Sequence, residues 1–233
     1  KIIIRNRTGT SFVLSGLALW LARPRTMAAQ PREGAFREIA AGFRYVISVP
    51  WIWTGIAMAT FVLMVAMAPF TALLPKLVRD EFDRGVGSYG ALFSLSAFGM
   101  VAGSLLYARV NPRRHRVWIC FSAFGINDIG LIVIALSPWY WLAAVAAVWR
   151  GFFIGIGITA WMTMVTELVP ESLLSRVLSL DYFGSFALTP VGYAFAGAAA
   201  AVFAPASIVA AGATIAMILW FVPLTSREVR TAT

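Results

Sequence analysis

The chain has 233 residues, of which 60% are apolar and 12% charged, and a formal net charge of +9. A soluble domain carries about 25% charged residues; here the charges fall into short clusters between long uncharged runs, which excludes an ordinary globular domain and points to several transmembrane helices. The basic residues lie in the short loops between apolar runs, so they read as topology signals and not as a nucleic-acid surface.

In chain order, "TGTSFVLSGLALWLA", residues 8–22, is too short for a full crossing and reads as the remnant of a transmembrane helix whose start is missing. The chain begins on Lys1 and shows no signal peptide, so it reads as a fragment. Residues 23–50 form a polar linker. Within it Phe36, Ile39, Ala40, Phe43, Val46 and Ile47 recur at helical spacing, with Arg37, Arg44 and Ser48 on the other face. That pattern predicts an amphipathic helix on the membrane surface, or a helix packed on a soluble partner.

A bundle of six spans is expected over 51–223, at 51–74, 88–108, 117–136, 139–163, 178–201 and 205–223. Each is long enough for about 30 Å of hydrocarbon. Pro50, Pro75, Pro112, Pro138, Pro170 and Pro205 fall at or between the ends of these runs, whereas Pro69 and Pro190 lie inside them and predict kinks. Residues 224–233 form a polar tail.

Placing the 23–50 linker in the cytoplasm puts twelve arginines inside: 23, 25, 32, 37, 44, 109, 113, 114, 116, 176, 227 and 230. Only Lys76, Arg79 and Arg84 are then outside. This obeys the positive-inside rule and predicts a cytoplasmic C-terminus. The outer loop "PKLVRDEFDRGVGS" adds Asp80, Glu81 and Asp83. Gly99 and Gly103, Gly151, Gly155 and Gly157, and Gly184, Gly192 and Gly197 mark expected close helix contacts.

Two ionisable residues fall near the middle of spans: Asp128, before the Ser137-Pro138 turn, and Arg150, after it. A charge at mid-bilayer costs at least about 2.5–3.5 kcal/mol, so each is a candidate for function, and the hairpin geometry lets them meet. The bland reading is a fixed ion pair holding two helices together. Asn127 is next to Asp128 but is expected to point elsewhere on the helix. Glu167, Arg176 and Asp181 are close enough in sequence to form a cytoplasmic gate, or to be ordinary interfacial charge. Met58, Phe61, Met64, Phe153 and Trp161 are candidates for an adaptable apolar cavity wall, or else simply pack or face lipid.

Enzyme chemistry finds little support. The single cysteine, Cys120, allows no disulfide framework, and the ligands for a metal site or another cofactor are lacking. A Ser-His membrane protease fails because the one histidine, His115, sits in an arginine-rich loop. An ATP-driven transporter's membrane domain has six spans, but its helices run well into the cytoplasm, and these loops are too short for that.

The stretches "LLPKLVRDEF" (73–82) and "SYGALFSLSAFGMVAGSLL" (88–106) resemble the seventh and eighth helices of a major facilitator superfamily exporter, and "ELVPESLLSRVLSLDYFGSFALTPVGYAFAG" (167–197) resembles its tenth-to-eleventh loop and eleventh helix. The resemblance spans 8–233 and is closest to the drug-efflux and siderophore-export branch. It implies an all-α integral membrane fold: the C-terminal half of twelve helices, with a missing N-terminal six-helix half and a substrate site between the halves. The implied activity is export of small amphipathic compounds by alternating access with proton antiport across the inner membrane. Arg150 then falls on a helix that lines the central cavity, and Asp128 on a peripheral one. The family's loop signature is incomplete: "GSLLYARVNPRRHR" keeps Gly103 and the arginines, but Tyr107 stands where an Asp is usual. The alternative is a nonfunctional truncated fragment or an accessory membrane subunit.

Overall fold

The computed structural model describes residues 15–17 and 35–226. The chain divides into two compact units, 1–37 and 38–233. In the first, Ser15–Leu17 is helical; the rest of the expected helix remnant, the linker up to residue 34 and the tail beyond 226 lie outside the described residues.

The second unit is an all-α membrane bundle. A surface helix, α1 (Ala35–Ser48), leads into it. The long helix α2 spans Pro50–Phe82, followed by α3 (Val86–Val110), α4 (Arg116–Leu136) and α5 (Tyr140–Leu168). Two shorter helices, α6 (Glu171–Phe186) and α7 (Thr189–Ala199), precede α8 (Pro205–Phe221). Five helical segments among the described residues are long and apolar enough to cross a membrane: α2, α3, α4, α5, and α8 with the short turn that follows it.

Two expectations need correction. The first span does not stop before Pro75. The helix continues through it to Phe82, where Asp83 takes a left-handed conformation (φ 48°) and ends it. A proline in a helix interior costs roughly 3 kcal/mol, but Leu73, Leu74, Leu77 and Val78 flank Pro75 with a buried face that outweighs it. The expected outer loop from Pro75 therefore shrinks to the three residues from Asp83 to Gly85.

The expected span 178–201 is not one helix. It breaks at Ala187 and Leu188, so six continuous crossings become five helices and one interrupted segment. Pro190 has no N–H for the Phe186 carbonyl, which removes a bond the helix would need there. Thr60 supports the broken end: its hydroxyl lies 2.9 Å from the Gly184 carbonyl and 2.7 Å from the Ile56 carbonyl on its own helix.

At Pro69, where a distortion is expected, α2 widens into a π-helical turn at Leu63–Met67, in which Ala68 N–H bonds the Leu63 carbonyl. Pro69 explains the position. It cannot donate to the Val65 carbonyl four residues back, and a wide turn relieves the clash of its ring with that group. Neighbouring glycines press onto this turn. A Cβ on Gly192 would sit 2.4 Å from the Met64 carbonyl, and one on Gly212 would sit 2.0 Å from that of Val65.

Of the glycines expected at close contacts, Gly197 has nothing within 4 Å of a Cβ, whereas those of α3 and α5 make the tightest contact. Gly99 and Gly103 of α3 meet Gly151 and Gly155 of α5. A Cβ on Gly99 would lie 2.2 Å from the Val148 carbonyl, one on Gly103 2.0 Å from that of Phe152, and one on Gly155 2.2 Å from that of Met100. Backbone lies on backbone, as small-xxx-small helix pairs allow. At one end of the bundle the hydroxyl of Tyr140 donates to the Ser88 carbonyl at 2.8 Å, while the Arg84 guanidinium stacks 4.5 Å above the Tyr140 ring.

Helix α1 turns Gly42 and Val46 inward and leaves Ile39, Phe43 and Ile47 exposed. A Cβ on Gly42 would come within 2.9 Å of Arg176 Cβ, so α1 lies directly on α6.

Candidate functional site

The transmembrane helices pack on apolar and small side chains, and against that background a few polar groups stand out. A cavity of about 250 Å³ opens among α2, α4, α5, α6 and α8. Its wall on α2 is Gly55, Ala59, Val62, Leu63, Ala66 and Met67, a stripe at helical spacing. Phe121, Phe124, Trp161 and Trp220 supply aromatic faces, with Phe124 and Trp220 stacked at 4.7 Å. Three polar residues enter it from α4 and α5, Asn127, Asp128 and Arg150, and three from α6, Asp181, Tyr182 and Ser185.

Asp128 is 1% exposed and Arg150 6%. They share the cavity but do not form an ion pair. The Arg150 guanidinium turns toward α2 and α3: it donates to Ser96 Oγ at 3.1 Å and to Met67 Sδ at 3.3 Å, and it lies 5.0 Å above the Phe70 ring. Its Nε has no partner. Asp128 accepts one bond at Oδ1, from Asn127 Nδ2 at 2.9 Å, and Oδ2 has none. The Asn127 Oδ1 is likewise buried without a partner. The expectation that Asn127 points away from Asp128 is therefore wrong. Neighbours on a helix differ by about 100°, but the carboxamide folds back along the helix surface to reach the carboxylate.

The glycines set how close these groups come. A Cβ on Gly130 would lie 2.9 Å from both the Ala146 carbonyl and Arg150 Cβ, so α4 and α5 touch beside the two charges.

Glu167, Arg176 and Asp181 do not form one cluster. Glu167 is paired with Arg116, which is buried at the start of α4 and also donates to the Pro112 carbonyl at 2.6 Å and to Asn111 Oδ1 at 3.5 Å. Asp181 lines the cavity instead: Oδ2 accepts from Trp161 Nε1 at 2.9 Å and Oδ1 from Ser185 Oγ at 3.4 Å. Arg176 sits one and a half turns earlier on α6, under α1. Sequence reasoning missed Arg116 as the partner of Glu167, because the loop arginines look alike until the fold buries one of them.

Of the expected wall residues, Trp161 lines the cavity and stacks edge-on with Trp51 at 5.5 Å. Phe61 is 47% exposed and faces outward. Met58 packs against the core, Met64 is half-buried and meets Gly192 through its carbonyl, and the Phe153 ring lies tilted against that of Trp149; none of these four lines the cavity. On α2 the cavity stripe runs through 55, 59, 62 and 66, which leaves 58, 61 and 64 on the adjoining faces.

Residues 8–180, well over half of the chain, match the sequence profile of the Major Facilitator Superfamily. The chain belongs to this family. It is 26% identical over 177 residues to the enterobactin exporter EntS of Escherichia coli O139:H28 (strain E24377A / ETEC), and equally to that of Shigella boydii serotype 18 (strain CDC 3083-94 / BS512). The aligned part is 76% of this chain and 42% of either relative, so the chain spans less than half the length of the curated relatives it matches. Membership in this family and the apolar helices make it a multi-pass membrane protein.

Proposed function

We propose that the chain is the C-terminal half of a secondary exporter, and that its cavity is part of the path of a small amphipathic compound. The observation that carries this reading is the pair Asp128 and Arg150, buried in one apolar cavity with open hydrogen-bonding positions and no ion pair between them. Charge inside a membrane is costly and tends to mark substrate or proton pathways. A pair that served only to join two helices would be expected to close on itself. The similarity to EntS supports the export direction.

In this reading the missing half supplies the opposite wall, the two halves rock about the site, and protons return through Asp128 in exchange for substrate. Arg150 holds α5 to α2 and α3 through Met67, Phe70 and Ser96, so its release is suited to accompany the change of access. The Arg116–Glu167 pair ties α4 to α5 at the end where Arg109, Arg113 and Arg114 cluster, which suits a cytoplasmic closure, with Arg176 and Asp181 on the neighbouring α6. The chain would lie in the inner membrane with its C-terminus in the cytoplasm.

The test is efflux from membrane vesicles holding the protein expressed from its full reading frame. Proton-driven extrusion of drug-like or siderophore-like compounds, abolished by Arg150→Ala in a normally inserted protein, is the expected result. An Arg150→Ala protein that pumps as well as the parent would overturn the role of the cavity.

A further inference from the structure

Arg150 also lines a second, smaller cavity of about 10 Å³ among α2, α3, α4 and α5, and it is the one residue common to the two. Phe70, Leu74, Leu92, Phe93, Ile134 and Ala147 make the apolar wall of the small cavity, and all of these but Phe93 are buried. The polar groups at it are the Arg150 guanidinium and the Ser96 hydroxyl. Among the described residues no carboxylate, carboxamide or imidazole side chain borders it. A space of this size admits one particle about as large as a water molecule.

Both polar groups at the small cavity have hydrogen to give. Ser96 Oγ accepts from an Arg150 amino group at 3.1 Å, which leaves its own hydrogen for another acceptor. The guanidinium carries more N–H groups than its contacts with Ser96 and Met67 use, and its Nε has no partner. The positive charge is not met by contact either. Arg150 is 6% exposed, its seat of hydroxyl, thioether and ring is neutral, and Asp128 forms no ion pair with it. A buried charge is costly unless an opposite charge and hydrogen bonds offset it. Water suits this space poorly, because its own hydrogens would face the apolar wall. A halide accepts N–H and O–H bonds, brings the opposite charge and has no hydrogen to place. Polyatomic anions are too large.

We infer that the small cavity is a halide site, in which a chloride ion is held by the Arg150 guanidinium and the Ser96 hydroxyl inside the apolar wall. The ion offsets the arginine's charge on the side of α3, which gives Arg150 a reason to stay in its seat and not to close on Asp128. Charge-assisted bonds of this kind are about twice as strong as neutral ones, so the ion ties α3 to α5 at the level of the two charges. The inference concerns the small cavity alone and stands whether or not the chain exports.

The experiment uses the protein from its full reading frame, purified in lipid nanodiscs. Its thermal melting is followed as chloride replaces gluconate at constant pH and ionic strength. The midpoint is expected to rise with chloride and to saturate, as a ligand bound by the folded state requires. Bromide is expected to act likewise, and sulfate not at all. Two variants place the ion. Ser96→Ala removes one of its donors, and the chloride concentration that gives half the effect is expected to rise about tenfold or more. Ala147→Val fills the space without touching either polar group and is expected to abolish the response. Where one variant does not fold, the other carries the comparison. A midpoint that chloride leaves unmoved overturns the inference, and water is then the occupant. An equal rise with chloride and sulfate overturns it as well, since ionic atmosphere and not a site would explain it. So does a chloride response that both variants keep unchanged, which would put the ion elsewhere.

Discussion

Asp128 and Arg150 line one cavity from neighbouring helices, yet the arginine gives its hydrogen bonds to Ser96 and Met67 and leaves an oxygen of the aspartate empty. Opposite charges in hydrocarbon have every electrostatic reason to close on each other, so their separation has to be maintained by the seat that holds the guanidinium. That seat is a hydroxyl, a thioether and an aromatic face at three different directions, which suits a planar, delocalised cation.

It follows that Arg150→Lys does not substitute for the arginine. A point charge with a shorter reach cannot bond Ser96 and Met67 together while lying over Phe70. If the chain transports as proposed, transport is expected to fall about tenfold or more in Arg150→Lys, with normal membrane insertion. Transport rates in vesicles, compared with protein amounts on immunoblots, check this.

The α3–α5 contact predicts a sharp contrast among glycines. Gly99→Ala places a methyl group against the Val148 carbonyl, and Gly151→Ala one against the Ser96 carbonyl, whereas Gly90 and Gly197 have nothing within 4 Å of a Cβ. The first two substitutions are expected to cost roughly 2–4 kcal/mol and the last two close to nothing. Thermal melting of the purified protein in one detergent separates the two classes.

At the Arg116–Glu167 pair the two partners are unequal. The Arg116 side chain is 8% exposed and bonded to the Pro112 carbonyl as well, while the Glu167 side chain is 49% exposed. Glu167→Gln is expected to cost about 1 kcal/mol or less, because water and the remaining partners serve the arginine. Arg116→Ala is expected to cost about 2–3 kcal/mol through the lost packing and the stranded carbonyl. Denaturation of both single variants and the double variant gives the coupling energy.

Thr60 predicts a local effect at the helix break. Thr60→Val keeps shape but removes the hydroxyl beside the Gly184 carbonyl, while Thr60→Ser keeps the hydroxyl. Amide hydrogen exchange over residues 184–192 is expected to quicken several-fold in Thr60→Val, a change of about 1 kcal/mol, and to stay near the parent rate in Thr60→Ser. Equal exchange in all three proteins would show that Thr60 does not support the break.

Hydropathy carried most of the fold. Apolar runs bounded by arginine, glycine and proline locate α3, α4, α5 and α8 to within a few residues, and glycines mark the positions, though not the pairing, of the α3–α5 contact. Proline was the weak signal. The same residue ends nothing at Pro75, where a buried leucine face carries the helix on. At Pro69 it widens a turn, and at Pro190 it accompanies a break, because what surrounds it decides the outcome. In the site, Asp128 and Arg150 stood out as charges in apolar spans, but their partners did not. Ser96 and Met67 lie 54 and 83 residues from Arg150, and nothing local in a serine or a methionine tells which arginine it will meet. Asn127 was discounted by helical angle alone, which ignores how far a carboxamide can fold back.

The π-helical turn at Leu63–Met67 gives α2 one more residue in that turn than an α-helix of the same rise would hold. Everything after it is rotated by about 100° relative to an uninterrupted helix. The two sections of α2 are thus shafts coupled out of phase: the earlier one presents Gly55, Ala59 and Val62 to the cavity, and the later one brings Phe70 beneath Arg150. If the wide turn tightened to an ordinary one, the later section would turn in its bearing and carry Phe70 away from Arg150 while the earlier section stood still. The arginine's seat is therefore tied to the phase of the helix and not only to the identity of its neighbours.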